Sequence, residues 1–282
     1  MGPENNRLKD WSDYIFGQLP YSHEESGTIV ELLIRYKLGK SSLDIIRNPD
    51  TRISESEILE LNRARKRLLA GDPIQYVVGE TEFYDCRIRC DKRALIPRPE
   101  TEELVELMIT DDRLSMIDSV LDIGTGTGCI PIAIKKNRPE WKVTATDVSE
   151  HALNLARENA QLNGVEVDFR QDDFANSKLE GPYDLIVSNP PYVLESERES
   201  MATHVVDHEP HLALFSAEAE LYSYRHILEL SRKILSPKGS IYLELNALTA
   251  KQVLELYKTE YPSSELVEDI SGKQRFLRMI RE

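Results

Sequence analysis

The sequence predicts an α/β fold: an open, mostly parallel seven-stranded sheet flanked by helices, with an antiparallel last strand. A small helical domain and a β-hairpin precede it. Three observations carry this reading. Strand-like and helix-like segments alternate from Ser119 onward. Apolar residues recur at helical spacing between Leu8 and Leu69. Between these regions lies a short stretch with two-residue alternation. Alternation of strands with helices places a parallel sheet between helical layers. The expected division is a helical bundle over 1–73, a hairpin linker over 74–96 and the α/β domain over 97–282.

In the first region four helical segments stand out: "LKDWSDYIFGQL", "SGTIVELLIRYKLG", "SLDIIRN" and "SEILELNRARKRLLAG". Ser54 or Ser56 can cap the fourth, and Gly71-Asp72-Pro73 ends it. Val77-Val78, Gly79-Glu80 and the alternating Phe83, Cys86, Ile88 and Cys90 read as a hairpin. A helix is expected to start near Glu100, behind the two prolines of "IPRPETEELVELMI". "SVLDIG", "KVTATD", "VEVDFR", "YDLIVS" and "SIYLELN" then read as strands. The helices between them start near Cys129 and Ser149, and a later one, "AELYSYRHILELSRKIL", stops at Ser236-Pro237-Lys238-Gly239. "LTAKQVLELYKTEY" is a helix, and "SELVEDI", Gly272 and "QRFLRMIR" close as a hairpin.

The bulk composition narrows the function classes. The chain has 282 residues, 40% of them hydrophobic, and a net charge of −14. Up to Gln75 there are 11 Lys and Arg against 12 Asp and Glu; from Tyr76 onward there are 24 against 37. Such an acidic surface disfavours long-range attraction to nucleic acid. The local basic run "RARKRLL" at Arg63–Leu69 reads as the solvated face of a helix. Three cysteines, Cys86, Cys90 and Cys129, form no CxxC pair and fit a reducing compartment. There is no apolar signal segment and no membrane-length apolar run, so a cytoplasmic location and no membrane partner are expected.

"LDIGTGTGCI" holds Gly124, Gly126 and Gly128, with Thr125 and Thr127 between them. Glycines let a loop turn tightly and let backbone approach a ligand. The dinucleotide pattern G-x-G-x-x-G/A fails at Cys129, and no GK[ST] follows, so neither nucleotide loop fits. With the acidic Asp122 ahead of it, the loop resembles the first motif of methyltransferases that use S-adenosylmethionine. Asp147 ends the second strand, 19 residues after Gly128. A carboxylate there can accept hydrogen bonds from both ribose hydroxyls or, alternatively, cap the next helix. Asp173 can meet an adenine amino group. Phe174 can cover the ring face or belong to the core.

The fourth strand delivers "SNPPYV" to the same edge of the sheet. A planar amide or amine nitrogen is a poor nucleophile because its lone pair is delocalised. An enzyme that methylates it must hold its N–H groups with acceptors. The side-chain oxygen of Asn189 and the backbone carbonyl of Pro190 can do so, on a turn stiffened by Pro190 and Pro191. Tyr192 offers a flat face for the planar group. Asn-Pro-Pro-Tyr serves two groups of enzymes: those acting on exocyclic amines of nucleic-acid bases and those acting on glutamine side chains of proteins.

Along nearly its whole length the chain resembles one family of the second group, the release factor glutamine N5-methyltransferases. The resemblance rests on "PIQYVVGETEFY", "LIPRPETEELVE", "VLDIGTGTGCI", "SNPPYV", "HEPHLALF" and the helical region before them. It implies a Rossmann-like class I S-adenosylmethionine-dependent methyltransferase domain. It further implies methyl transfer to the glutamine of a Gly-Gly-Gln motif in peptide chain release factors. By position, Gly124, Thr125, Gly126, Thr127, Gly128 and Asp147 would bind the cofactor, with Phe174 beside the adenine; Asn189 is expected to border the cofactor as well. Asn189, Pro190, Pro191 and Tyr192 would receive the glutamine amide. Arg98, Pro99, Glu100 and Thr101 would line the cofactor side of the pocket, and the helical domain would dock the release factor. One departure is His208-Glu209-Pro210, where Phe-Glu-Pro is expected.

The alternatives are a base methyltransferase, such as one acting on adenine N6, and a non-catalytic protein that keeps the cofactor fold. The first would have to extrude its target base and is disfavoured by the acidic charge; the second is disfavoured by the intact Asn-Pro-Pro-Tyr. His204, His208 and His211 are spaced H-x₃-H-x₂-H, but no further ligand accompanies them and the chemistry needs no metal, so none is expected. The expected partner is a protein substrate, met by a monomeric enzyme.

Overall fold

The computed structural model describes residues 2–191, 209–210 and 221–281. Two compact units emerge, one up to Glu80 and the other from Thr81 onward. Among the described residues no helix is long and apolar enough to cross a membrane.

In the first unit, the four expected helices are α1 (Leu8–Phe16), α2 (His23–Leu38), α3 (Ser42–Arg47) and α4 (Glu55–Leu69). Ser54 is the cap of α4: its hydroxyl accepts the Glu57 N–H while the Glu57 carboxylate accepts the Ser54 N–H at 2.7 Å. Ser41 and Asp44 repeat this reciprocal box on α3. Leu8, Trp11, Ile15, Leu33, Leu61 and Leu68 meet in one core. Each fully buried aliphatic side chain of this kind stabilises by about 1.5–3 kcal/mol. Residues 74–78, read from sequence as the start of the hairpin, form a fifth helix, α5 (Ile74–Val78). Pro73 opens it, Gly79 closes it in the left-handed region (φ 92°), and Val77 joins the helical core. Burial here overrides the strand preference of two adjacent valines.

Next in the chain comes the hairpin of β1 (Glu80–Phe83) and β2 (Cys86–Arg89). Its turn places Tyr84 and Asp85 at positive φ (43° and 60°), as a type I′ two-residue hairpin turn requires at both positions. Cys86, Ile88 and Cys90 share the buried face, as the alternation predicted. The helix α6 (Pro99–Ile109) follows, with proline in its first turn.

The main sheet consists of β3 (Ser119–Ile123), β4 (Lys142–Asp147), β5 (Asp168–Gln171), β6 (Tyr183–Ser188), β7 (Leu235–Glu244), β8 (Glu265–Glu268) and β9 (Gln274–Ile280). Its order is β5-β4-β3-β6-β7-β9-β8. The pairs from β5 to β7 are parallel, and β9 runs antiparallel to both its neighbours. This is the predicted seven-stranded arrangement. The flanking helices are α7 (Cys129–Asn137), α8 (Glu150–Asn163), α9 (Tyr222–Ile234) and α10 (Ala250–Lys258). Ser236-Pro237-Lys238-Gly239 does follow the end of α9, but as part of β7: the register shifts so that Tyr183 pairs Leu235 while Leu185 pairs Ser240. The extra residues are absorbed as an irregularity in the strand instead of forming a separate turn.

Two asparagines tie the hairpin to α8. Asn159 and Asn163, one helical turn apart, each pair with the backbone N–H and C=O of one β2 residue, Arg89 and Arg87 respectively. The β2 edge is thus satisfied by side chains of a helix.

Candidate active site

Chain order puts β4 and β5 on one side of β3 and β6 on the other. The direction of winding reverses between β3 and β6, and a crevice forms outside the carboxyl ends of such strands. Four predicted site segments lie at that edge: the glycine loop after β3, Asp147 at the end of β4, Asp173 after β5 and Asn189 after β6.

The glycine loop is stitched to β4. Gly124 and Thr125 donate their N–H groups to the Thr146 carbonyl at 2.9 and 2.8 Å, and Gly128 donates to the Thr125 carbonyl at 2.9 Å. Glycine is required at 128 for two reasons. Its φ is 80°, and a Cβ there would lie 2.9 Å from the Ala156 Cβ. The side chains of Thr125 and Thr127 are buried. Asn159, itself fully buried, donates to the Thr127 carbonyl at 2.9 Å, so one side chain holds both the hairpin and the loop.

Asp147 takes the loop from the other side. Its Oδ2 accepts the Gly126 N–H and its Oδ1 the Ser149 N–H, both at 2.9 Å. The helix cap of α8 is Ser149, so Asp147 is not the cap. Burial raises its carboxyl above the ordinary value of 3.8, and the backbone N–H groups partly oppose that shift. The carboxylate has about four lone-pair sites, so it retains acceptor capacity beyond these bonds.

Asp122 lies at the base of the loop, fully buried. Neither of its oxygens has a hydrogen-bond partner, and the buried Thr125 hydroxyl is likewise unpartnered. Burial pushes the Asp122 carboxyl up to about 7; the nearby Thr125 hydroxyl lowers it somewhat, without reaching hydrogen-bond geometry. Burying a carboxyl without a partner is costly, and groups perturbed in this way cluster at functional sites. Next to the loop, burial likewise pushes the Cys129 thiol up, to about 12, which leaves it neutral and unreactive.

After β5, Asp173 is exposed and caps the short turn Phe174–Asn176, accepting from Ala175 N at 3.0 Å and Asn176 Nδ2 at 2.9 Å. Phe174 is half-buried and packs against the main core. Val148, the apolar residue that follows Asp147, is 55% exposed at this edge, and the sequence patterning did not single it out.

At the end of β6, Ser188 donates to the Ile123 carbonyl at 2.6 Å and pins the strand to β3. Asn189 follows, with its Nδ2 3.1 Å from the Thr101 hydroxyl in the first turn of α6. That hydroxyl lies 2.7 Å from Oε2 of the buried Glu244 at the end of β7. Pro190 is buried, and no described residue donates to its carbonyl. The Pro191 carbonyl accepts from Ser223 of α9 at 2.9 Å. Tyr192 lies outside the described residues, as do His204, His208 and His211. No group of three metal-ligating side chains occurs among the described residues. Glu209 is described: its buried carboxylate accepts the Ile96 N–H at 3.2 Å and pairs with Arg98 at 2.5 Å.

Comparison with known proteins fits this geometry. Residues 101–217 match the Methyltransferase small domain family, and residues 18–79 match the PrmC N-terminal domain. The hMettl16 catalytic domain, solved in complex with MAT2A 3'UTR hairpin 1, shares the fold at 18% identity, with a TM-score of 0.54 over 88% of this chain and 90% of that one. The release factor glutamine methyltransferase of Bacteroides thetaiotaomicron is 41% identical over 261 residues, covering 91% of this chain and 93% of its own. The chain belongs to the release factor glutamine methyltransferase family. The Streptococcus pneumoniae member is 42% identical over 214 residues, 75% of this chain and 76% of its own. As a release factor glutamine methyltransferase family member, the chain has a class I methyltransferase fold in its second unit. The PrmC N-terminal domain match falls in the first unit.

Proposed function

We propose that the protein methylates the side-chain amide nitrogen of the glutamine in the Gly-Gly-Gln motif of peptide chain release factors. The observation that carries this is the likeness to release factor glutamine methyltransferases across 91% of the chain, both units included. The methyl donor in this reading is S-adenosylmethionine. When bound, it supplies an electrophilic methyl group on a sulfonium sulfur, which keeps the electron pair of the broken S–C bond.

The residues at the crevice suit that donor. Gly124, Thr125, Gly126, Thr127 and Gly128 let backbone come close to it, and Asp147 offers spare lone pairs to ribose hydroxyls. Asp122 is a buried, unpartnered carboxylate suited to a cationic group. Val148, next to Asp147 in the chain, adds exposed apolar surface for a purine face, and Asp173 and Phe174 follow the neighbouring strand β5.

Asn189 and Pro190 do the work on the substrate. The Asn189 side-chain oxygen and the Pro190 carbonyl accept the two amide hydrogens of the glutamine. They turn its nitrogen lone pair toward the methyl group and stabilise the positive charge that develops on nitrogen. Pro191, with its carbonyl held by Ser223, stiffens the turn so that the acceptors need not reorganise. Tyr192 is the flat neighbour for the planar amide. The methylated nitrogen is a strong acid and loses its extra proton to water, so no strong base is needed. Such positioning is worth roughly 10⁵ or more in effective molarity. The helical unit, with Leu43, Ile46 and Leu59 exposed, is the docking surface for the release factor.

A labelling experiment tests the reading. With tritiated methyl donor, release factor should take up the label and DNA or RNA should not. Label in nucleic acid and none in release factor would contradict it.

A further inference from the structure

We propose that Thr101 and Glu244 are positioning residues that lock the Asn189 carboxamide with its oxygen, not its NH₂ group, free to accept. This inference rests on the reading of Asn189 as the acceptor for the substrate amide.

An asparagine side chain can rotate by half a turn and exchange a donor for an acceptor at almost no steric cost. A catalytic acceptor therefore needs something that distinguishes its two ends. Glu244 Oε2 lies 2.7 Å from the Thr101 hydroxyl, and in its ionised form Glu244 has no hydrogen to give. The single hydroxyl hydrogen of Thr101 must go to Glu244. What the hydroxyl then presents to Asn189, 3.1 Å away, is a lone pair. Only the NH₂ end of the carboxamide can meet it. The oxygen, Oδ1, is thereby fixed on the side away from Thr101.

The reverse orientation would oppose the reaction. It would place an N–H donor where positive charge develops on the substrate nitrogen. The three residues come from different elements: Thr101 from the first turn of α6, Asn189 from the end of β6 and Glu244 from the end of β7. Thr101 and Glu244 are 3% and 1% exposed, so water does not compete for the hydroxyl hydrogen. The relay sits in low dielectric, where such bonds are strong and directional. Glu244 is held in turn at its backbone, where its carbonyl accepts from the buried Tyr224 hydroxyl at 3.2 Å.

The test uses the full-length enzyme with release factor at saturating methyl donor. It measures kcat, KM for release factor and the Kd of S-adenosylhomocysteine. Thr101→Val removes the hydroxyl at constant shape, and kcat should fall about tenfold or more. The S-adenosylhomocysteine Kd should stay within about twofold, and Thr101→Ser should restore most of the rate. Thr101→Ala is the second hydroxyl-free variant should Thr101→Val not fold. Glu244→Gln can donate as well as accept, so it permits both orientations of Asn189. It should lower kcat in the wild-type background and have no further effect in the Thr101→Val background, the signature of one shared interaction.

A wild-type kcat in the hydroxyl-free variants, while Asn189→Ala is inactive, would overturn the relay alone. Equal impairment of Thr101→Ser and Thr101→Val would assign Thr101 to packing, and cofactor-product affinity falling in step with kcat would assign it to the cofactor side of the pocket; either overturns the relay. An Asn189→Ala enzyme with normal turnover would instead overturn the underlying reading of the site.

Discussion

Asp147 and Gly126 are joined by a hydrogen bond from the glycine N–H to Oδ2 of the carboxylate, 2.9 Å long. The bond ties the end of β4 to the middle of the loop that follows β3. Asp147 thus has two tasks: it shapes the loop, and it offers its remaining lone pairs to a ligand. Asp147→Ala should weaken binding of S-adenosylhomocysteine by about 1.5–3 kcal/mol, the range for lost charge-assisted hydrogen bonds. Asp147→Asn keeps one oxygen and should lose less. Calorimetric titration of both variants checks the order; an unchanged Kd in Asp147→Ala would remove Asp147 from the cofactor site.

Asn189→Ala should behave differently. Cofactor-product affinity should stay near wild type while kcat falls a hundredfold or more, on the scale of one lost transition-state acceptor. Steady-state kinetics with release factor, alongside the same titration, separate the two effects.

Asp122 predicts a pH dependence of stability. Burial holds its carboxyl at about 7, against the ordinary 3.8. Between those values the folded protein binds a proton that the unfolded chain has already lost. Stability from this group therefore falls as pH rises from about 4 to about 7, and the cost persists above. Asp122→Asn should raise the Tm of the cofactor-free protein at pH 8, by an effect on the order of a few kcal/mol, and change it little at pH 4. A lower Tm at pH 8 in the variant would show that the carboxylate has a partner in the folded state.

The Arg98–Glu209 pair should be asymmetric. The Glu209 side chain is 1% exposed and that of Arg98 is 33% exposed. Removing the arginine strands a buried carboxylate, so Arg98→Ala should cost about 3 kcal/mol or more. Glu209→Gln leaves a partly solvated cation and an acceptor for the Ile96 N–H, and should cost about 1 kcal/mol. Urea unfolding of the two variants gives the comparison.

Much of this architecture was legible because it is local. The strand-helix alternation, the serine cap of α4, the glycine loop and the spacing of Asp147 each sit within a few residues or one βαβ unit. The relations that set the site are not local. Thr101 and Glu244 are 143 residues apart, and Arg98 and Glu209 are 111 apart. No periodicity joins them; the sole hint was a carboxylate ending an otherwise apolar strand, "SIYLELN". The helix at 74–78 was missed because two valines favour a strand locally while the core buries Val77 as a helix. The hairpin turn carries Tyr84-Asp85 at positive φ, where a glycine would have announced it.

Mass spectrometry of the release factor Gly-Gly-Gln peptide, after incubation of the whole factor with this protein and S-adenosylmethionine, tests the central claim most directly. One added methyl group on the glutamine side chain is expected with the wild-type enzyme, and almost none with Asn189→Ala. An unmodified glutamine, from a preparation shown to bind S-adenosylhomocysteine, would contradict it.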